Sequence, residues 1–372
     1  MNLLYLLPGI VGGTETYAAG LLHGLAQVDK QNEFIVFMNK ESAGWPMPQA
    51  ANFIRVKCPV KAVNRSQRYL FEQFGLPGRL RKHEVDLVHS LGYVGPLWTP
   101  CPTVVTVHDL NYLAIGHTMP FGRRHLLRFF SVQSAQRAKA VITVSSYSKK
   151  VICDELKIHP NKVTVTHEGP RWNDHFISQD VVSKIRVSYG ISGPYLVAFG
   201  GGSVHKNIRR LLRAFAETKR ELPHKLVIIG HLPHNVNPGD LSTDIIATGY
   251  VPAEHVLPLL SGAEVFVLPS LYEGFGLPVL EAQQAGVPVV CSTAGSLPEV
   301  AGEAAIFFNP YSVKDMAEKI GLVARDPILQ AELGKRGKIN VQQYSWDRTA
   351  RETLTVYEKA FKSRGVDNIG SD

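Results

Sequence analysis

The sequence predicts an α/β protein made of two doubly wound, parallel-sheet domains in tandem. Short β-branched runs alternate with helix-like stretches through the first half; the rhythm lapses near Gly169-Pro170 and resumes at Tyr195. At 372 residues the chain also exceeds the size that one core usually organises. In the first half, Leu3 to Leu7, Phe34 to Met38, Asp86 to His89, Val104 to Val107, Val141 to Val144 and Val163 to Thr166 read as strands, being short, apolar and bounded by polar or turn residues. Helical character falls between them, over Thr14 to Gln27, Arg65 to Lys82, Arg123 to Arg137 and Ser146 to Glu155. The second half begins with strand Tyr195 to Phe199, helix Asn207 to Glu217, and strands Leu226 to Ile229 and Ile245 to Ala247. Helix Ala253 to Leu260, strand Val265 to Leu268, helix Pro278 to Ala285, strands Val287 to Cys291 and Ala305 to Phe308, and further helices follow. These readings put one domain at 1–175 and another at 190–344, with the boundary between Pro170 and Pro194 and a frayed tail over Gly365 to Asp372.

Composition narrows the class. A hydrophobic share of 45% and a charged share of 19% are those of a folded globular protein. Every long apolar run is interrupted before about 18 positions, so no membrane-spanning helix is expected. The first residues lack the basic region and small-residue cleavage site of a signal peptide. Four cysteines lie far apart without CxxC spacing, which argues against a disulfide framework or a zinc knuckle and for the reducing cytoplasm. Of the net charge of +8, the excess sits in the first half, where residues 1–180 carry 20 Lys+Arg against 13 Asp+Glu, or +7. No acid occurs between Leu110 and Cys153, and only Glu72 opposes the basic residues from Arg55 to Lys82. Such a surface attracts anionic lipid headgroups, a phosphorylated acceptor or nucleic acid, or it simply solvates the protein. Amphipathic stretches at Arg65 to Lys82 and Pro120 to Phe130 fit peripheral contact with an anionic membrane and fit ordinary packing equally.

Parallel sheets bind ligands beyond the carboxyl ends of their strands, so residues following each strand are the candidates. Gly12 and Gly13 follow the first strand; they let backbone approach a ligand beside a helix start, although paired glycines also serve tight turns. GxGxxG is absent, and the second strand ends Met38-Asn39-Lys40 without a ribose-binding acid, which excludes a nicotinamide enzyme. His108 and Asp109 close another strand, where an imidazole either donates to a substrate hydroxyl or packs locally. Gly200-Gly201-Gly202-Ser203-Val204-His205-Lys206-Asn207 sets exposed amides beside an ammonium, as a phosphate cradle does, but lacks the Gly-Lys-Ser/Thr of a Walker A loop. The sharpest segment runs from Leu268 to Glu281: a buried strand, a Gly-rich loop holding Glu273, and a helix opened by Pro278. There the amides of Gly276 and Leu277 are placed to face an anion. Two carboxylates beside a diphosphate would repel it, so Glu273 and Glu281 are expected to grip hydroxyls, which sugars and riboses supply. A glycosidase-like acid pair is the rival reading, but this spacing across a loop and helix does not set the carboxyl separation that chemistry needs.

The Glu273-x7-Glu281 segment, with Gly249-Tyr250-Val251 before it and Gly286-Val287-Pro288-Val289-Val290 after it, resembles the retaining glycosyltransferases of family 4. Those have the GT-B fold, two Rossmann-like domains facing a central cleft. The resemblance extends to Gly12-Gly13, His108-Asp109, Val144-Ser145-Ser146, Lys206-Asn207 and the Tyr344-Ser345-Trp346 helix, nearly the whole chain. It implies that Lys206 neutralises the donor diphosphate within the loop of Gly201, Gly202 and His205, and that Glu281 holds the ribose. It implies that Glu273 orients the transferred sugar with the amides of Phe275, Gly276 and Leu277, and that Gly249, Tyr250 and Val251 line the base. His108 would reach toward the sugar, Gly12 and Gly13 would leave space for phosphate and acceptor, and a terminal helix at 345–364 would rejoin the first domain. Two features depart from the family pattern. His205 stands where Arg is usual and Gly201 where Arg, Ser or Thr is common, and His167-Glu168-Gly169-Pro170 replaces an Asn-Gly-Val-Asp turn.

No Asp-x-Asp occurs, so a metal clamp on the diphosphate is not expected, nor any cofactor beyond the GDP- or UDP-linked sugar substrate. Lys206 and helix N-termini would stabilise the departing nucleoside diphosphate. No carboxylate is marked as a covalent nucleophile, which predicts a same-face displacement with the leaving phosphate taking the acceptor's proton. The expected reaction moves a hexose of mannose or glucose type to a sugar or lipid-linked acceptor in surface-polysaccharide biosynthesis, in the cytoplasm at the inner face of the membrane. The alternatives are a sugar-nucleotide epimerase or a phosphorylase of the same fold. A nucleic-acid-binding protein stands further off, since it would explain the basic half but not the Glu-x7-Glu loop.

Overall fold

The structure, a computed structural model, describes residues 1–111, 121–172, 177–219 and 222–362. Pro120, the segment Gly365–Asp372 and the last two positions of the expected 345–364 helix lie outside the described residues. The chain divides into two compact units, Met1–Gly169 with the stretch from Ser345, and Pro170–Tyr344.

The first unit holds strands β1 (Phe34–Met38), β2 (Phe53–Lys57), β3 (Val88–Ser90), β4 (Thr103–Thr106), β5 (Ala140–Thr143) and β6 (Val163–Val165). All pairings are parallel, β1 with β2 and β3 through β6 in order. Asn2 joins the two groups by single bridges to Phe37 and Ser90. The expected strand Leu3 to Leu7 does not form, and Asn2 alone pairs in its place. The Asn39 side chain takes the Leu4 and Leu6 carbonyls at 3.0 and 2.7 Å, and the Leu6 amide turns back to Leu3, so the ladder partners are already spent. Counting Asn2 as the first position, the winding reverses between Asn2 and β3. Edge strand β2 was invisible in the sequence because Phe-Ile-Arg-Val-Lys buries only Val56 and so shows no apolar run. The helical stretch from Arg65 to Lys82 is broken by a π-turn over Phe71–Gly75.

Helix Gly13–Val28 packs on the returning helix Trp346–Lys362. A Cβ added at Gly24 would stand 2.4 Å from the Trp346 carbonyl oxygen, so this approach needs a glycine. His89 ties the same helix to the sheet, with Nδ1 2.6 Å from the Tyr357 hydroxyl and Nε2 2.7 Å from Thr106 Oγ1.

The second unit is one parallel sheet of β7 (Tyr195–Phe199), β8 (Lys225–Ile229), β9 (Ile245–Ala247), β10 (Val265–Leu268), β11 (Val289–Ser292) and β12 (Ala305–Phe308), ordered β12-β11-β10-β7-β8-β9. From β9 the order is that of the doubly wound dinucleotide-binding fold, reversing between β7 and β10. Leu196, Ala198 and Val267 enter one core while Tyr195, Val197 and Phe266 enter the other. Burial on both faces explains the continuous apolar runs of these strands. The stretch after Pro170, which read as irregular, contains the helix Gln179–Ser188. Among the described residues no helix is long and apolar enough to cross a membrane.

Candidate active site

In the second unit the reversal between β7 and β10 makes two loops neighbours, Gly200 to Lys206 and Pro269 to Gly276. The Leu271 amide donates to the His205 carbonyl at 2.7 Å, and Asn207 Nδ2 donates to the Pro269 and Pro310 carbonyls at 2.9 and 2.8 Å. Asn207 adopts a left-handed φ of 56°, which asparagine tolerates better than most residues. This stitching sets Lys206 Nζ 2.8 Å from Glu273 Oε1, an oxygen that also accepts the Ser270 hydroxyl at 2.7 Å. Burial alone would raise the Glu273 carboxyl. The Lys206 ammonium, the hydrogen bonds from Lys206 and Ser270, and His205 outweigh it, so the carboxyl lies below its ordinary value. His205 Nδ1 sits 2.6 Å from Ser203 Oγ, and burial followed by the Lys206 charge lowers its imidazole, against a smaller pull from Glu273.

The Glu273 loop rests on Gly295-Ser296. At Gly295, with φ +65°, an added Cβ would fall 2.2 Å from the Glu273 carbonyl oxygen. The Ser296 amide donates to that oxygen at 3.2 Å, and the Ser296 hydroxyl reaches the Phe275 carbonyl at 2.6 Å. Helix Leu277–Gln284 follows Gly276 with no side-chain cap, which leaves its N-terminal dipole to an incoming group. Phe275 is buried with its ring against Tyr344, and Leu277 is buried as well. Glu281, on the next turn, is 2% exposed at its side chain, with Oε1 3.1 Å from Arg171 Nε. Beyond β9, Tyr250 is exposed while Val251 packs on the core. A Cβ at Gly201 or Gly202 would meet nothing closer than 3.6 Å, so this loop stays open.

The first unit presents its own residues at its carboxyl edge. Gly12 and Gly13 open helix Gly13–Val28, and an added Cβ at either meets nothing within 4 Å. His108 lies just past β4, buried, with the Tyr17 ring edge-on at 4.7 Å. Its Nε2 is 2.9 Å from the Leu91 carbonyl and therefore carries the proton; its Nδ1 faces Glu168 Oε1 at 3.8 Å. Both ring nitrogens thus have partners inside their own unit. Burial raises the Glu168 carboxyl, with Asp109 adding and His108 opposing. A cavity of about 770 Å³, lined by Asp29, Phe34 and Leu87 among others, lies at the amino ends of this unit's strands and so holds none of these residues.

The structure therefore joins Lys206, His205 and Glu273 and pairs Glu281 with Arg171. Ser270, Ser296, Glu168 and Arg171 were not anticipated. The first three follow strand ends on a carboxyl edge, a positional signal the sequence did carry; Arg171 sits in a stretch with no pattern.

Residues 11–169 match the profile of Glycosyltransferase Family 4, and residues 183–340 that of Glycosyl transferases group 1. O-antigen chain mannosyltransferase B of Escherichia coli is 30% identical over 269 residues, 68% of this chain and 70% of that protein. This chain is a family-4 glycosyltransferase. The transferase is also 32% identical over 237 residues to the MMP alpha-(1->4)-mannosyltransferase of Mycolicibacterium hassiacum, a match covering 61% of its own length and 55% of that relative. Among solved structures, a sucrose-phosphate synthase from Thermosynechococcus elongatus superposes with a TM-score of 0.73 at 19% identity, covering 95% and 94% of the two chains. HepE of Anabaena, solved with UDP-glucose, gives 0.72 at 16% identity, covering 95% and 98%. The glycosyltransferase has the GT-B fold.

Proposed function

We propose that the glycosyltransferase moves a hexose from GDP or UDP to a lipid-linked or oligosaccharide acceptor in surface-polysaccharide assembly, with retention and without a metal. The observation that carries this reading is the Lys206, Glu273 and Ser270 cluster at the reversal of the second sheet. Both curated relatives described above are mannosyltransferases, one of them of the O-antigen chain, and that favours mannose as the hexose.

Lys206 exchanges the Glu273 carboxylate for the donor diphosphate, and the uncapped helix N-terminus at Gly276 and Leu277 shares that charge. Glu273, still held by Ser270, then accepts hydrogen bonds from sugar hydroxyls. Glu281 takes the ribose hydroxyls as Arg171 gives way, and Tyr250 and Val251 flank the base. A neutral His205 leaves Lys206 as the cation of the loop. Gly12, Gly13 and His108 belong to the acceptor side. The bond from the anomeric carbon to phosphate breaks as the acceptor oxygen joins that carbon on the same face, and the acceptor proton passes to the departing phosphate.

Acceptor-dependent release of GDP from GDP-mannose, compared with UDP from UDP-glucose, tests the reading. Release should require acceptor and persist in EDTA, and Lys206→Met and Glu273→Gln should each lower kcat by about 10²–10³. Release that ignores acceptor, or full turnover in both variants, would overturn it.

A further inference from the structure

The chain passes from the first unit to the second at Gly169 and Pro170. Gly169 lies flush on the terminal helix, where an added Cβ would stand 2.6 Å from the Trp346 amide nitrogen. Three residues on, Trp172 packs against the core of the second unit, and its carbonyl accepts the Gln284 side-chain amide at 2.6 Å. Between these two attachments the Arg171 guanidinium is drawn onto helix Leu277–Gln284 by Glu281, Nε to Oε1 at 3.1 Å, and lies 5.6 Å from the centre of the Trp172 ring.

The partners of that ion pair differ in what each can give up. The Glu281 side chain is 2% exposed and that of Arg171 is 40% exposed. A carboxylate so deep in the protein needs a countercharge or hydrogen-bond donors at all times, because burying it alone is costly. A guanidinium at the surface swings into water at little cost, since exposed charge pairs stabilise weakly. The easy change is therefore an exchange at Glu281, in which hydroxyl donors of an incoming molecule take the carboxylate and Arg171 leaves. The bond from Gln284 to the Trp172 carbonyl involves neither group, so the release stops at Trp172.

We infer that Arg171 is a built-in occupant of the ribose site, which neutralises Glu281 while the donor is absent, lowers donor affinity, and frees the crossing segment when ribose hydroxyls displace it. This rests on the proposed role of Glu281 as the ribose grip and adds the regulation of that grip. A ligand that must first break an ion pair binds more weakly by the fraction of molecules in which the pair is open. A nucleotide without ribose hydroxyls has nothing to offer the carboxylate and leaves Arg171 seated.

Binding of UDP, GDP and their 2′,3′-dideoxy forms to the full chain is measured by calorimetry for the wild type, Arg171→Met and Glu281→Gln. For the diphosphate that the wild type binds more tightly, Arg171→Met should lower Kd at least about threefold and leave that of the dideoxy form within about twofold. Should Met at this exposed position unfold the chain, Arg171→Gln removes the charge and should shift Kd the same way by less. With 5-fluorotryptophan incorporated, the Trp172 resonance, assigned through Trp172→Phe, should move on adding the ribonucleotide toward its position in Arg171→Met. It should stay in place with the dideoxy form. Unchanged or weaker ribonucleotide binding by folded Arg171 variants, or a Trp172 resonance indifferent to the ribonucleotide, overturns the inference. The ribose reading then still stands if the dideoxy forms and Glu281→Gln show weakened binding. Equal binding of ribo and dideoxy forms by the wild type, with no loss in Glu281→Gln, overturns the ribose reading and this inference with it.

Discussion

At Glu273 one carboxylate oxygen serves two donors, and its pH behaviour follows from that. The folded carboxyl lies below the ordinary 4.5, so the contribution of its partners is present above 4.5 and lost as pH falls through the folded value. Lys206→Met should cost the second unit about 1–3 kcal/mol at pH 7, the penalty of a largely buried group left short of a partner, and progressively less as pH falls below 4.5 through the folded value. Urea unfolding of both proteins across a pH series checks this. His89 works through the unfolded chain instead. Burial, then the Met1 amino group and His108, push its imidazole from 6.5 to about 3. The unfolded chain therefore takes up a proton that the fold refuses, and the first unit should weaken steadily as pH drops below 6.5. Replacing His89 with Gln should flatten that slope in a series of thermal midpoints. Of the residues at the candidate site, Lys206, Glu273 and Glu281 were readable because charge is rare beside glycine-rich loops. Ser270 and Ser296 carried only their place after a strand end, because a hydroxyl's importance lies in which carbonyl or carboxylate it meets. Arg171 is a related case, its meaning set by a partner 110 positions away.

Elements were legible where burial on both faces left an unbroken apolar run, as in β7, β8 and β10. They were hidden where burial was partial. Strand β2 shows water most of its side chains, and helix Gln179–Ser188 buries only Val182 completely. The opposite error at Leu3 to Leu7 has a related cause: the apolar pattern is real, but a distant Asn39 side chain holds the carbonyls that a strand would have offered. The turn holding Gly295 belongs to this scale, since it props the loop bearing Glu273. Gly295→Ala puts a methyl group into the Glu273 carbonyl at a positive φ. It should cost about 1–3 kcal/mol and lower kcat more than it raises KM for donor, as read by thermal unfolding and acceptor-dependent turnover.

For the whole molecule, strand and helix alternation with one interruption was enough to reveal two doubly wound sheets. What alternation could not show is that the first unit is discontinuous in sequence, because a terminal amphipathic helix reads the same wherever it lands. Gly24→Val tests that attachment: its side chain would strike the Trp346 backbone, so hydrogen exchange in Trp346–Lys362 should accelerate while Pro170–Tyr344 keeps its protection. The same attachment bears on synthesis. Domains usually mature from the amino end as a chain emerges from the ribosome. Here the leading half lacks the partner for Tyr17, Gly24 and His89 until Trp346–Lys362 has been translated, whereas the stretch from Pro170 to Tyr344 has everything it needs beforehand. The nucleotide-fold half should thus be the first to become protease-resistant on a stalled nascent chain, with the half translated before it waiting in an unfinished state.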